Sequence, residues 1–240
     1  MAKTKQSLNT ILIIVLLAII LTIGASCQQP QQPQQGQQQG QQPPQQGQQP
    51  SMLFSDDFNT EETGAIPSKW DIVTKEKLLA SVIGTTQAND IYGKVLELKG
   101  RLITTKEGAE WKDYTITLDF KIFNAGEHEG PEVMFRAQDS DNYYLFATNT
   151  QPTGTNYILY KVINGEKYEL KQRAKNERID DEKWHKLKLN IQGNDFTAEI
   201  DSNNVLTTTL DGTYNTGKIG LMSHPFSDIY FDNIAVIGTS

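Results

Sequence analysis

Residues 113–122 read Asp-Tyr-Thr-Ile-Thr-Leu-Asp-Phe-Lys-Ile, and their polar and apolar side chains alternate without a break. Successive side chains of a β-strand point to opposite faces. This period of two therefore predicts a strand with one buried face and one wet face. Similar runs follow at residues 132–138, 143–149, 157–163, 168–172, 186–191, 196–201, 218–222 and 229–237.

Turn signals separate several of these runs. Asn164-Gly165 stands between two of them, and this dipeptide is preferred in type I′ hairpins because both of its residues accept positive φ. Gly193-Asn194 and Asp211-Gly212 mark further turns. Only residues 74–81 suggest a helical period. Many short strands joined by such turns predict an all-β fold, a two-sheet antiparallel jelly-roll β-sandwich.

The 240 residues divide into three segments of unlike composition. Residues 1–27 are mostly apolar, and residues 28–50 contain only Gln, Pro and Gly (15, 5 and 3). All 21 aromatic residues lie in residues 51–240. That last segment is long enough for one domain that buries roughly 70% of its unfolded surface. We expect a single folded unit there, and a monomer.

The N-terminal segment has the order of an export signal. Lys3 and Lys5 precede an apolar run that ends in Gly-Ala-Ser directly before Cys27. Small residues before a lone cysteine resemble the lipobox of prokaryotic lipoproteins, in which the cysteine sulfur is lipidated, although Gly24 stands where that box usually has a large aliphatic residue. An uncleaved signal anchor is the alternative. Both place residues 51–240 outside the cytoplasm, anchored to a cell-envelope membrane.

Residues 28–50 have no charged, aromatic or aliphatic side chain. Such a segment cannot offset the loss of chain entropy by burying apolar surface. We expect a disordered tether that spans about 25–30 Å as a flexible coil.

The charge of residues 51–240 argues against a nucleic-acid partner. This segment has 20 basic and 29 acidic residues, a net charge of −9. A body with this balance and no dense cluster of Lys or Arg repels phosphate backbones. Its lack of cysteine also excludes an internal disulfide, a thiolate metal site and a cysteine nucleophile.

An ordered set of short segments resembles the concanavalin A-like lectin/glucanase superfamily, in its laminin-G-like and 3-keto-disaccharide hydrolase-like branches. The resemblance covers nearly all of residues 53–238. It implies a jelly-roll fold and leaves the activity open, because that fold hosts lectins, glycosidases and adhesion modules. The segments are residues 56–58 with Trp70, 92–96, 134–136 with 141–144, 183–185, 217–221 and 231–234.

The resemblance also suggests a ligand site and an ion. Alternation in residues 133–138 predicts that Arg136 projects on the side opposite Phe135. The resemblance places this arginine on a concave sheet, with the ring of Tyr144 beside it. Lys161, in residues 157–163, is a candidate third polar contact. The alternative is that Arg136 braces the sheet by pairing with a carboxylate such as Asp119 or Glu132.

A structural calcium is implied by the same resemblance. Superfamily members often hold this ion between the first and last strands. Asp232 would be its side-chain ligand, with carbonyl oxygens near Asp57 and Gly93, which suits a hard cation. The alternative is that Asp232 and Asn233 only satisfy turn or edge hydrogen bonds.

Among the tryptophans, Trp70 and Trp184 are expected in the core. Trp111 lies in a turn and is a candidate exposed platform for a sugar ring.

Signals for catalysis are weaker. Superfamily members that cleave β-glucans carry a Glu-x-Asp-x-x-Glu string, which is absent from this sequence. The closest acidic cluster is Glu127, Glu129 and Glu132, in a segment whose two glycines and proline indicate a loop. We therefore expect a tethered domain that binds a poly- or oligosaccharide without cleaving it. The alternatives are a glycoside hydrolase acting on a disaccharide or oligosaccharide, and an adhesion module of the cell envelope that binds no glycan.

Overall fold

The computed structural model describes residues 50–73, 79–84, 93–100, 102–123, 130–151, 153–179, 183–224 and 227–239, which belong to one compact unit. Fifteen strands are found in them. They are β1 (Ser51–Asp56), β2 (Trp70–Ile72), β3 (Leu79–Gly84), β4 (Lys94–Lys99), β5 (Leu102–Thr105), β6 (Tyr114–Phe123), β7 (Glu132–Ala137), β8 (Tyr143–Gln151), β9 (Gly154–Ile163), β10 (Glu166–Lys175), β11 (Trp184–Gln192), β12 (Asp195–Ile200), β13 (Asn203–Thr209), β14 (Lys218–Met222) and β15 (Asp228–Gly238).

The strands form two antiparallel sheets, which confirms the predicted jelly-roll sandwich. Eight strands make sheet A in the order β13-β12-β11-β6-β15-β4-β3, with β1 also paired to β15. Seven strands make sheet B in the order β10-β9-β8-β7-β14-β5-β2. The alternating residues after Asp113 form β6, which pairs with β11 and β15.

The main core lies between the sheets and contains the inward-facing half of each alternating strand. The core residues of β6 are 0% exposed; they are Tyr114, Ile116, Leu118, Phe120 and Ile122. Burial of this kind stabilises the fold by about 25 cal/mol per Å² of apolar surface removed from water. Trp70 lies in this core, as expected, whereas Trp184 is half-buried and is not one of the buried core residues, so the expectation is wrong for Trp184.

A second, smaller apolar cluster lies outside the core. Tyr144 and Phe146 of β8 face the main core, whereas Tyr143 and Leu145 of the same strand belong to the second cluster. Alternation therefore puts this cluster on the outer face of sheet B. We call it the sheet B floor; it comprises Leu102, Met134, Ala137, Tyr143, Leu145 and Val162.

The predicted hairpin turn is present between β9 and β10. Asn164 and Gly165 both have positive φ, 51° and 83°, which is the conformation that a type I′ turn requires. The helical period of residues 74–81 predicts a helix, but residues 79–81 lie in β3, so the prediction is wrong for them. Residues 74–78 lie outside the described residues. None of the described residues forms a helix long and apolar enough to cross a membrane.

A β-bulge interrupts the alternation of β7 at Arg136. Met134 pairs with Gly220 and Ala137 pairs with Lys218, so two residues of β7 oppose the single residue Ile219 of β14. Arg136 has a φ of 48°, and a left-handed residue at this place is typical of such bulges. Because of the extra residue, Met134 and Ala137 both lie in the sheet B floor, and Arg136 turns to the inner side.

Candidate functional site

Arg136, the residue expected to contact a ligand, points into the protein interior and is 1% exposed. Its Nη1 donates a hydrogen bond to the carbonyl of Tyr214 (3.2 Å), and its Nη2 donates to the carbonyls of Lys112 (3.0 Å) and Gly193 (2.7 Å). The same nitrogen lies 3.5 Å from the carboxylate of Asp113. The guanidinium therefore connects the chain segments around residues 112–113, 193 and 214. The prediction that Arg136 is exposed to a ligand is wrong.

Tyr144 and Lys161 are also near each other, but they contact a loop of the protein rather than an open surface. Both bind the carboxylate of Asp211: the Tyr144 hydroxyl donates to it over 2.5 Å, and Lys161 forms an ion pair with it. The Tyr144 hydroxyl in turn accepts a hydrogen bond from the backbone N–H of Thr213 (2.9 Å). Together with Arg136, these side chains attach residues 211–214 to the end of the sandwich.

The contacts between Tyr144, Lys161 and Asp211 shift the pKa values of Asp211 and Tyr144. Burial acts to raise the pKa of Asp211, but the hydrogen bonds from Lys161, Tyr144 and Thr213 outweigh it and hold that pKa well below its usual range. Burial raises the pKa of Tyr144 to about 12, with a further contribution from the Asp211 carboxylate. Asp211 therefore stays charged and Tyr144 stays protonated at neutral pH.

Trp111 does not form an exposed platform. It is half-buried and packs against the main core. Its ring lies 6.0 Å from the ring of Phe54 and 6.3 Å from that of Tyr114, centre to centre. Trp111 therefore contributes to the core at the side of the sandwich, contrary to the sequence expectation.

The outer face of sheet B carries aromatic and polar side chains that differ from the predicted site residues. Register puts Thr104, Gly220, Met134, Leu145 and Tyr160 in one row across the sheet. The ring of Tyr160 packs on the sheet B floor. The floor's own side chains are buried, at 0–6% exposure, so this face presents to solvent the half-buried ring of Tyr160 and the polar side chains around it.

A charged pair crosses this face. The ammonium of Lys167 lies 3.3 Å from the carboxylate of Glu132 and 5.5 Å from the centre of the Tyr160 ring. Burial and the nearby Glu132 and Asp141 raise the pKa of Tyr143 to about 12. The face thus combines ring surface, a protonated phenol, a carboxylate and an ammonium within one patch, which is the mixture of apolar and polar groups found in small-ligand sites.

Asp232, the candidate calcium ligand, lies where three strands meet. β4 pairs with β15 up to Phe231, and β1 pairs with it from Ile234 onward, so Asp232 faces the gap between β1 and β4. Its side chain is buried and accepts one hydrogen bond, from the backbone N–H of Asn233 (2.7 Å). Burial, together with the carboxylates of Asp119, Asp57 and Asp56, raises its pKa to about 7.

These residues fit a hard cation in their chemistry. A buried carboxylate surrounded by three others is costly when charged, and a bound cation would remove that cost. Gly93 and Asp57 both lie close to Asn59: a Cβ on Gly93 would come within 2.7 Å of the Asn59 side-chain oxygen, and the Asp57 carboxylate accepts from the Asn59 N–H (3.2 Å). Within the described ranges, no group of three or more His, Cys, Asp or Glu side chains is placed to hold a metal, so backbone oxygens would have to complete the set.

The sequence matches one family model over residues 55–237, under the description 3-keto-alpha-glucoside-1,2-lyase-like domain. The chain belongs to this family. The match includes nearly every described strand, and it confirms the resemblance to the 3-keto-disaccharide hydrolase-like branch. No curated protein matches the sequence significantly.

Solved structures share the fold of this 3-keto-alpha-glucoside-1,2-lyase-like domain. The carbohydrate binding module CBM66 from Bacillus subtilis is 22% identical, with a TM-score of 0.54, over 69% of this chain and 93% of that chain. A GH16 protein from a mixed linkage glucan locus of Bacteroides ovatus, in complex with its product, is 15% identical, with a TM-score of 0.55, over 77% and 99%. Domain 4 of an extracellular GH43 arabinanase from Geobacillus stearothermophilus, in complex with arabinotriose, is 15% identical, with a TM-score of 0.50, over 79% and 93%. At these identities the likeness concerns the fold.

Sequence reasoning missed Tyr143, Tyr160 and Lys167 in this family domain. The signal was present: Tyr143 and Tyr160 are the aromatic residues on the opposite parity from Tyr144 and Lys161, the residues singled out. The predicted parity put Arg136 opposite Phe135, on the outer face, whereas the bulge turns it to the inner side, where Tyr144 also lies. Of the acidic cluster, Glu132 lies on the outer face of sheet B, whereas Glu127 and Glu129, like Cys27, lie outside the described residues.

Proposed function

We propose that this domain binds a glycan on the outer face of sheet B and does not cleave it. The observation that carries the proposal is the group of accessible side chains above the buried sheet B floor: the half-buried ring of Tyr160 and the Glu132–Lys167 ion pair. Sugars present C–H surface and hydroxyl groups together, and they are bound by aromatic rings combined with planar or charged hydrogen-bonding groups.

Related structures support a carbohydrate ligand without naming it. The family description refers to a glucoside, CBM66 is a carbohydrate binding module, and the arabinanase domain is in complex with arabinotriose. The net charge of −9 on residues 51–240 favours a neutral glycan over a polyanion.

The test compares two tyrosines on a glycan array. Tyr160 lies on the floor, whereas Tyr168, on the neighbouring strand, pairs with Lys161 and faces the other side, with 47% of its surface exposed. Full-length protein and the variants Tyr160→Ala and Tyr168→Ala are applied to the same array. We expect Tyr160→Ala to weaken binding about tenfold, because it removes the aromatic ring on which the C–H face of a sugar would pack, and Tyr168→Ala to bind like the parent.

Equal binding by both variants would show that the ligand lies elsewhere on the domain. An array without signals would favour the third possibility, an adhesion module that recognises a protein of the cell envelope.

Cleavage is the second candidate function, and Glu132 is the observation in its favour. This carboxylate lies on the proposed ligand face, 3.3 Å from Lys167, in a chain whose family is described by a lyase. A retaining glycosidase would need a second carboxyl group about 5 Å from it. Product analysis on every array hit, with the parent and with Glu132→Gln, separates the two functions: products that disappear in Glu132→Gln would establish cleavage, and binding without products would exclude it for that glycan.

We infer that residues 1–50 tether this domain to a membrane outside the cytoplasm. Support comes from the order of lysines, apolar run and small residues before Cys27, and from the uncharged tract that follows. Membrane fractionation of Cys27→Ser with metabolic labelling by a fatty acid tests it. Loss of label and release of the chain support lipidation; retention without label supports an uncleaved anchor; a parent protein in the soluble cytoplasmic fraction excludes both.

A structural calcium at Asp232, with oxygen atoms near Asp57 and Gly93, is the proposed cofactor. The buried, poorly hydrogen-bonded carboxylate at the junction of β1, β4 and β15 supports this assignment. The ion would neutralise the surrounding carboxylates and so hold the junction together.

A further inference from the structure

A cavity of about 330 Å³ lies at one end of the sandwich, away from the sheet B floor. It is lined from sheet B by the start of β9 and the end of β10, and from sheet A by β11 and the β12–β13 hairpin. Its inner walls are buried apolar side chains, Tyr157, Ile179, Ile200 and Val205. Its size is at the lower end of the range for ligand sites, which suits one small ligand.

His185 stands in this cavity at a position where alternation calls for an apolar residue. It pairs with Phe120, and the following inward positions of β11 are Leu187, Leu189 and Ile191. The imidazole lies with its centre 5.4 Å from that of the Phe120 ring, at an interplanar angle of 31°, and the side chain is 11% exposed. An aliphatic side chain at this place would bury more apolar surface, so the histidine gives up stability that an apolar residue would supply.

Asp201 fixes the orientation of this histidine. Its Oδ2 lies 2.7 Å from Nδ1 of His185, and its Oδ1 accepts a hydrogen bond from the backbone N–H of Lys186 (2.9 Å). The carboxylate comes from a turn in which Asp201 and Ser202 both have positive φ, 49° and 66°. This left-handed conformation is unfavourable for residues other than glycine. The fold thus holds a fixed polar pair in the wall of this cavity, beside its buried apolar side chains.

The lining indicates the class of ligand. Charged side chains of both signs surround the cavity: Lys175 and Arg178 against Glu177 and Asp201. Such a balance offers hydrogen-bond donors and acceptors without a net attraction for an ion. Aliphatic and aromatic walls with fixed polar groups at the rim match a neutral ring that carries hydroxyl groups.

We propose that this cavity binds a single neutral sugar residue, as a second glycan site separate from the outer face of sheet B. This second site rests on the proposed function in that its ligand is again a glycan. The residues that line the cavity are separate from those on the outer face of sheet B. Two sites on one domain would let a branched or folded glycan bind more tightly than either site alone allows.

The test observes His185 directly. The chain has three histidines, and their ring signals in NMR spectra of the full-length protein are assigned with His185→Leu and His224→Leu. D-glucose, D-galactose, D-fructose and L-arabinose are titrated separately. We expect one or more of them to shift the His185 signal in a saturable way, in Tyr160→Ala as in the parent. Absence of a saturable shift with all four sugars, or its loss in Tyr160→Ala, would overturn the second site.

A variant with a sound fold completes the test. His185→Leu is expected to keep or raise the urea midpoint of unfolding, because it replaces a polar group by an apolar one, and to lose at least tenfold in affinity for the sugar that binds, measured by calorimetry. His224→Leu, an exposed control, is expected to bind like the parent. Unchanged affinity in His185→Leu would show that the pair only braces the β12–β13 hairpin. The array result with Tyr160→Ala is independent of these outcomes, so failure of either site is recognised separately.

Discussion

The hydroxyl of Tyr144 donates a hydrogen bond of 2.5 Å to the carboxylate of Asp211, a residue 67 positions later in the chain. Tyr144 belongs to the main core and Asp211 to the loop before β14, so this contact attaches a loop to a core side chain. Lys161 binds the second oxygen of the same carboxylate. Three elements therefore depend on one ionised group.

The first prediction concerns pH. The pKa of Asp211 is lower in the folded chain than its ordinary value of 3.8, so its contribution to stability is full above that value and is lost as the pH falls toward the folded pKa. We expect the urea midpoint of the parent to fall between about pH 5 and pH 2, and Asp211→Asn to show a lower midpoint at pH 7 with a flatter decline. Asp195→Asn, an exposed control, should follow the parent. A parallel decline in Asp211→Asn would contradict the role of this carboxylate.

The second prediction concerns Arg136. Its replacement by Met leaves the carbonyls of Lys112, Gly193 and Tyr214 without their buried donor. We expect a loss of about 2–4 kcal/mol in the free energy of unfolding by chemical denaturation. Arg173→Met, on the exposed edge strand β10, should change it by less than about 0.5 kcal/mol. Glycan binding at temperatures where Arg136→Met is folded should match the parent; a selective loss of binding would return Arg136 to the ligand site.

The third prediction concerns Gly217, which lies against the bulge. Its φ is 143°, and a Cβ there would come within 2.4 Å of the Arg136 carbonyl carbon and 2.6 Å of the Ala137 nitrogen. Because backbone cannot yield as a side chain does, Gly217→Ala should cost about 3 kcal/mol in stability. Gly84→Ala, also a glycine-to-alanine change but with open space around the new Cβ, should stay within about 1 kcal/mol of the parent. Equal effects of the two changes on the denaturation midpoint would show that the close approach is absent in solution.

The fourth prediction concerns the proposed calcium. EGTA should lower the thermal midpoint of the parent, and excess calcium should restore it, because a ligand that binds only the folded state stabilises it. Asp232→Asn should lose this response, whereas Asp195→Asn should keep it. In EGTA, Asp232→Asn should be at least as stable as the parent, since it removes a buried carboxylate near Asp119, Asp57 and Asp56. A parent midpoint that ignores both EGTA and calcium would exclude the ion.

Local signals were sufficient for the fold class. The alternation of β6 depends only on which neighbouring residues are polar, and Asn164-Gly165 depends only on the backbone freedom of two residues. Both patterns are read within a few positions of the chain. The same holds for residues 28–50, whose composition by itself predicts a tether.

The orientation of Arg136 was decided by the tertiary structure. The direction of its side chain depends on whether β7 pairs residue for residue with β14. The paired residues of these strands are far apart in the chain, since Ala137 pairs with Lys218, 81 positions later, and one bulge reverses the parity. Trp111 is similar, because its burial depends on Phe54, which approaches it only when β1 joins sheet A. The His185–Asp201 pair likewise forms only when the β12–β13 turn closes.

From the order of its residues alone, this chain specifies an antiparallel sandwich, because strand alternation and turn chemistry are local properties of the backbone; a leader and a polar tether remain predictions from composition. Which face of sheet B carries ring surface, and which arginine is enclosed, depends on register between strands far apart in the chain. A single extra residue in one strand changes that register, and no pattern within the strand itself reports it.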